Sequence, residues 1–280
     1  MLVSIIIVTH NRPLLLSRAI ESVVAQSYRP LELVLVDNQS DIPVKIPSDS
    51  QNISAKVVRT DRFMNASASR NFGVSKSTGD LIGFLDDDDF FLPGKIDAQM
   101  ASLADAPDAD FSIIDTEIRE DGATRIAGLK DIADLFSLLA YRPIHTNSPL
   151  IRRRIFEKIH FDERLDKYTD LSLTFRMFEQ FQGVKAKGIG SVWMCDDRSD
   201  QITNKRYLNK LKSLHRNYRN WKIICDDFAH LIDPEPELRK RYYGKLAILA
   251  ALSLRPSSAL HYGFATIRLR NNVEKQASFL

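Results

Sequence analysis

Gly79-Asp80-Leu81-Ile82-Gly83-Phe84-Leu85-Asp86-Asp87-Asp88-Asp89 runs from an uncharged stretch straight into four consecutive carboxylates. Leu81–Leu85 reads as a strand buried on both faces. Like charges about 4 Å apart near a protein surface repel by roughly 4 kcal/mol, so a fold keeps four carboxylates together only with compensation. A hard divalent cation supplies it, and carboxylate oxygens suit Mg2+ or Mn2+. The plain alternative is an exposed acidic turn. The position of the run, between a buried strand and Phe90-Phe91-Leu92-Pro93, argues against that. Alternate residues of a strand end point the same way, so Asp86 and Asp88 can share one task.

Outward from this strand the first part of the chain alternates strand and helix. Strands are expected at Val3–Thr9, Leu31–Val36, Lys56–Arg59 and Phe111–Glu117. Helices are expected at Leu14–Gln26, where apolar residues recur at helical spacing, at Ser67–Ser75 and at Gly94–Leu103. Asp121-Gly122 is a turn signal. Such alternation predicts an α/β fold: a mainly parallel sheet flanked by helices. Ligands of these sheets bind beyond the carboxyl ends of the strands. Thr9, Asp37 and the Asp86–Asp89 run each follow a strand, so they should lie along one edge.

The rest reads differently. Helices are expected at Asp131–Leu139, Arg153–Ile159 and Tyr168–Phe181, and strands at Pro149–Ile151 and Val184–Met194, the last interrupted by Gly188 and Gly190. From Asn204 the pattern is helical to the end, broken near Pro234-Glu-Pro236 and at Pro256. This gives a body over 1–203, with halves 1–118 and 119–203, and a helical extension over 204–280.

The composition is that of an ordinary globular protein. Two cysteines, Cys195 and Cys225, make no disulfide framework and fit a reducing compartment. No apolar run approaches the length of a membrane span. Leu2–Val8 reads as a strand rather than a signal peptide. The net charge of +3 hides an asymmetry: residues 201–280 carry 15 Lys and Arg against 6 Asp and Glu, while the remainder is acidic. A dehydrogenase is excluded by the lack of Gly-x-Gly-x-x-Gly after the first strand, and a P-loop hydrolase by the lack of its Gly-Lys-Ser/Thr signature. No nucleic-acid partner is expected.

Two further signals accompany the acidic run. Asp37, in Val36-Asp37-Asn38-Gln39-Ser40, can accept hydrogen bonds from a base or a ribose, or simply cap its own loop. Arg70, in Ser69-Arg70-Asn71-Phe72-Gly73, can pair with diphosphate oxygens or sit on a helix surface.

These blocks, with Val8-Thr9-His10-Asn11-Arg12, closely resemble the family 2 glycosyltransferases, inverting enzymes with the GT-A fold. The resemblance implies a nucleoside-diphosphate sugar donor, UDP-sugar favoured over thymine or guanine nucleotides, and a Mn2+ or Mg2+ cofactor. It implies donor contacts from Thr9, Asn11, Arg12, Asp37 and Arg70. Asp86 would face the ribose or sugar and Asp88 would hold the metal, with Asp87 kept as a candidate because the run leaves the register open. The catalytic base would be Asp170 in Tyr168-Thr169-Asp170-Leu171, where Thr169 stands in place of the family's Glu; Asp162 and Asp166 are competitors. Arg198 would serve the diphosphate from a closing loop. Trp193 is expected in the core and His145 in a structural role. A glycan or lipid-linked glycan acceptor is implied, as in bacterial lipopolysaccharide, O-antigen or capsule synthesis, with a cytoplasmic location peripheral to the inner face of the membrane. Tyr242-Tyr243, Lys245 and Leu246–Leu254 are candidates for membrane contact, a homodimer interface or an ordinary core. A nucleotide-sugar hydrolase and a catalytically impaired donor-binding protein are the competing functions.

Overall fold

The computed structural model describes residues 1–46, 53–127, 144–195 and 211–267. The chain divides into two compact units, residues 1–196 and 197–280.

Among the described residues the first unit has one sheet of nine strands: β1 Val3–Thr9, β2 Leu31–Asp37, β3 Ser54–Arg59, β4 Leu81–Asp86, β5 Phe90–Phe91, β6 Phe111–Glu120, β7 Ala123–Ala127, β8 Leu150–Arg152 and β9 Gly183–Met194. Their order is β3-β2-β1-β4-β8-β6-β9-β5, with β7 paired to β6. The half built from β3, β2, β1 and β4 is wholly parallel. Beyond β4 the sheet is mixed: β8 runs antiparallel to both β4 and β6, and β5 to β9, while β6 and β9 are parallel. The expected parallel character therefore stops at the acidic run.

β1, β2 and β4 are apolar on both faces because helices cover both. α1 (Pro13–Val24) starts on Pro13, whose fixed φ suits a first helical position. It lays Leu16, Ala19, Ile20 and Val23 against Val3, Ile5, Ile7, Leu33 and Leu35. α2 (Ala66–Lys76) covers the other face and is capped by the Asn65 side chain, which accepts from Ala68 N–H at 2.8 Å. It can approach closely because residue 73 is glycine: a Cβ there would lie 2.5 Å from Ile6 Cγ2. α3 (Lys95–Asp105) joins the α1 side through Ile96 and Leu103. α4 (Thr169–Gln180) buries Leu171, Leu173, Phe175 and Met177.

Several expectations shift. Arg153–Ile159 forms a single 3-10 turn over Arg153–Glu157 rather than an α-helix. The β6–β7 hairpin turns on Asp121 and Gly122, both with positive φ, which matches the Asp-Gly signal although β7 itself was not anticipated. Nor was β5, only two residues long. β9 passes unbroken through Gly188 and Gly190, with its irregularity taken up as register shifts opposite Ile113–Thr116. The expected helix Asp131–Leu139 lies outside the described residues.

The second unit holds α5 Leu211–Asp227, α6 Ala229–Ile232, α7 Pro236–Leu252 and α8 Pro256–Ile267. Its interior is made by Trp221, Ile224, Tyr242, Leu246 and Leu249. The Trp221 indole donates to Tyr242 O at 2.9 Å, and the Lys245 ammonium lies 3.5 Å from the centre of the Trp221 ring. Tyr242, Tyr243, Leu246 and Leu249, considered from sequence for membrane contact, are thus buried. No helix among the described residues is long and apolar enough to cross a membrane.

At the end of the sheet opposite the acidic run, Glu32 is 3 % exposed yet ionised. Burial acts to raise its pKa, but Lys56 at 2.8 Å, Ser4 Oγ, Thr78 N–H at 2.8 Å and Thr78 Oγ1 at 3.0 Å together lower it to about 2. Glu32 therefore contributes stability fully present above its ordinary value of 4.5 and lost as pH falls through about 2. Glu32→Gln should destabilise the protein at pH 7 by about 1–3 kcal/mol. Denaturant titrations at pH 7 and pH 3 should show that gap shrink in acid.

Candidate active site

The parallel register sets the rim. Thr9 at the end of β1 is level with Asp37 on β2, and Val8 is level with Asp86 on β4. The acidic run therefore leaves the sheet beside Thr9, beyond the carboxyl ends, where a ligand of such a sheet binds.

Each aspartate meets a different environment. Asp86 Oδ1 accepts from Arg70 at 2.6 Å. Burial works against its ionisation, but the charges of Arg70 and His145, the Arg70 hydrogen bond and Arg12 outweigh that and hold its pKa below the ordinary value. Asp87 accepts from Thr9 Oγ1 at 2.7 Å and Arg12 at 3.0 Å; burial prevails over both and raises its pKa. Asp88 faces the same Arg12 nitrogen at 3.5 Å, and its backbone carbonyl accepts from Arg18 at 2.5 Å. Asp89 is fully buried, accepting from the Asn147 amide at 2.6 Å and Met194 N–H at 2.8 Å. Burial and the charges of Asp86 and Asp88 push its pKa well up.

Residues from 144 onward close the other side. Arg70, on α2, also donates to Thr169 Oγ1 at 3.2 Å, which ties α2 to the start of α4. Asp170 sits in the first turn of α4, where the helix dipole favours a carboxylate. Its Oδ1 accepts from Leu171 N–H at 2.8 Å. Burial raises its pKa against the pull of His145 and Arg70, and Asp86 raises it further. Asp170 and His145 also line a pocket whose other walls are mostly apolar, among them Phe84, Phe161 and Leu173, with Thr146 and Thr174.

His145 links the two halves. Its Nε2 lies 3.9 Å from Asp86 Oδ2 and 4.0 Å from Asp89 Oδ2, and its ring stacks on Trp193 at 4.5 Å. Burial lowers its pKa despite the opposing charges of Asp86 and Asp170. Asp86, Asp89 and His145 offer ligand atoms all within 4.8 Å of one another. Oxygen-rich donors at that spacing fit a divalent cation, and neighbouring carboxylates that burial holds in one place are the charge such an ion offsets.

The structure thus gathers Thr9, Arg12, Arg70, Asp86, Asp87, Asp88 and Asp170 around one rim. Asp37 and Asn11 lie on its β2 side and are engaged within the chain. Asp37 accepts from Ser40 N–H at 2.9 Å and Arg59 at 2.7 Å, and Asn11 exchanges hydrogen bonds with Asp41. Asp162 is held by Arg164 and Arg176, at 2.6 and 3.0 Å. Arg198 lies outside the described residues. Trp193 is partly exposed against His145 rather than in the core. Sequence reasoning passed over Asn147, whose side chain bonds Asp89 and accepts from Asp86 N–H at 3.0 Å. A lone Asn in an irregular stretch carries no signal of that kind.

Comparison with known proteins agrees with this geometry. The chain is 27 % identical over 257 residues to the uncharacterised glycosyltransferase YwdF of Bacillus subtilis, covering 86 % of this chain and 92 % of that one. It is 33 % identical over 103 residues to a Campylobacter jejuni GalNAc(5)-diNAcBac-PP-undecaprenol beta-1,3-glucosyltransferase, covering 35 % and 33 % of the two chains. Among solved structures it shares its fold with S. aureus TarS 1–349 in complex with UDP-GlcNAc, at a TM-score of 0.62 and 14 % identity over 97 % of this chain and 92 % of that one. It also resembles the mannosyltransferase PcManGT of Pyrobaculum calidifontis in complex with GDP-Man and Mn2+, at a TM-score of 0.59 and 15 % identity over 99 % and 79 %. The Glycosyl transferase family 2 profile matches residues 4–181, well over half of the sequence, and the chain belongs to that family.

Proposed function

We propose that this chain is an inverting transferase that moves a hexosyl or N-acetylhexosaminyl group from a UDP-sugar to an acceptor hydroxyl. The observation that carries the reading is one rim with Asp86–Asp89 and two arginines on one side and Asp170 on the other. Residues 1–118 hold the donor, 119–203 the acceptor, and 204–280 form an extension. Thr9, Asn11 and Asp37 contact the nucleoside. Asp86 and Asp87 meet the ribose or sugar, and Arg12, Arg70 and Arg198 meet the diphosphate. Asp88, next to the Asp86, Asp89 and His145 cluster, would hold a Mn2+ or Mg2+ ion, which would supply positive charge to offset that of the departing diphosphate.

The acceptor oxygen bonds to the anomeric carbon from the face opposite the diphosphate, whose bond breaks in the same step. Asp170 takes the hydroxyl proton. Its burial favours this role, because a carboxylate with a raised pKa is a better proton acceptor. Holding both substrates on one rim supplies much of the remaining acceleration.

The acceptor is a glycan or lipid-linked glycan of a bacterial surface polysaccharide, built on the cytoplasmic side. Support comes from the Campylobacter jejuni relative, whose name specifies an undecaprenol-linked glycan, and from AmsB of Erwinia amylovora, named for amylovoran biosynthesis. AmsB is 26 % identical over 196 residues, covering 62 % of each chain. The choice of UDP rests on the TarS complex and that of manganese on PcManGT.

Incubation with Mn2+ and a panel of UDP-sugars tests the whole reading. UDP release that rises on adding a glycan acceptor supports the transferase. Free sugar released regardless of acceptor marks a hydrolase, and donor binding without release marks a protein that has lost catalysis. Asp170→Asn should bind donor normally and lose about 10²–10⁴-fold in kcat, the usual worth of a positioned base; unchanged turnover would refute the assignment. Asp88→Ala should lose Mn2+-dependent UDP binding by calorimetry, and an unaltered Mn2+ affinity would count against Asp88 as ligand.

A further inference from the structure

Among its described residues the second unit exposes a set of large apolar side chains. Ile248, Leu252, Leu254, Leu260 and Phe264 are 53–77 % exposed. Ile248 and Leu252 are one turn apart on α7, Leu260 and Phe264 one turn apart on α8, and Leu254 sits in the bend between the helices. α8 runs back along α7: a Cβ on Gly244 would lie 3.9 Å from Thr266, and Tyr243 stacks on Tyr262 at 6.1 Å. The inward face of α7 is already filled by Tyr242, Leu246, Leu249 and Ala250. The strip is therefore a second, outward apolar face of a helical hairpin.

Its charge tells what covers it. From Leu238 to Val273 there is no Asp or Glu, while Arg239, Lys240, Arg241, Lys245, Arg255, Arg268 and Arg270 fall in the same stretch. Acidic residues are common elsewhere in the chain, 36 in the other 244 positions, so an acid-free run of this length is a local bias. A second copy docked by two-fold symmetry would set this cationic strip against itself. An anionic lipid surface matches both halves of the pattern: the apolar side chains enter the headgroup boundary and the cations meet the lipid phosphates.

We propose that the α7–α8 hairpin is a peripheral docking surface for anionic membrane. Ile248, Leu252, Leu254, Leu260 and Phe264 are its apolar anchors, and Lys240, Arg241 and Arg255 are cations of its rim. The surface does not depend on the transferase assignment, and its test requires no turnover.

The full chain is sedimented with vesicles of phosphatidylcholine alone or with about one-third phosphatidylglycerol. Binding should be at least about tenfold stronger to the anionic vesicles and should weaken in 0.5 M salt. Leu252→Glu with Phe264→Glu should lose about tenfold or more of that binding, because a charge must then enter the boundary. Lys240→Glu with Arg241→Glu should lose the preference for phosphatidylglycerol. Both variants substitute exposed side chains and should keep the wild-type melting temperature and UDP affinity. Equal partition to both vesicle types, or none to either, overturns the proposal. So does a concentration-dependent dimer in sedimentation velocity that the Leu252→Glu, Phe264→Glu variant abolishes.

Discussion

Four carboxylates at the end of a buried strand repel one another, and the surrounding structure is arranged as the answer. Arg12 and Arg18 enter from α1 and the turn before it, and Arg70 from α2. The Asn147 amide and the Met194 N–H fix Asp89 from the far side. Two apolar faces hold β4 in place against this strain, so the charge is crowded at a rim that cannot relax. A rim of that kind is prepared for a divalent cation and a diphosphate.

The parallel half of the sheet was readable because β1, β2 and β4 are mostly β-branched or aliphatic, interrupted only by Ser4, Glu32 and Gly83 before their polar ends. Val3–Thr9 and Leu31–Asp37 must be apolar on both faces, and the helices between them carry a plain stripe. The rim residues followed from one rule, that ligands sit beyond the carboxyl ends. The mixed half was less readable for a physical reason. β5 is two residues, too short to show a period, although the three-residue β8 was expected at Pro149–Ile151. The 3-10 turn at Arg153–Glu157 has the same apolar spacing over one turn that a helix would have. β9 looked broken because Gly188 and Gly190 interrupt its pattern. Gly190 is there because a Cβ would strike Ile114 at 2.5 Å, and Gly188 because its φ is +92°.

At the site, the charged residues were legible and the neutral ones were not. Asp86–Asp89 declare themselves by charge in context, while Arg70 and Asp170 stood out only through the family resemblance. Asn147 and His145 act through geometry alone, in a stretch without regular structure, and only the fold brings them to β4. The tail shows the same division. Its apolar content was plain, but which residues face inward depends on the packing of α7 on Trp221: within Leu246–Leu254, Leu246, Leu249 and Ala250 turn in while Ile248, Leu252 and Leu254 stay outside.

One amide, that of Asn147, holds both the backbone of Asp86 and the carboxylate of Asp89, and it stands three residues before β8. A shift of that stretch would pass through a single side chain to the acidic run, so the first and last carboxylates of the run keep or lose their setting together.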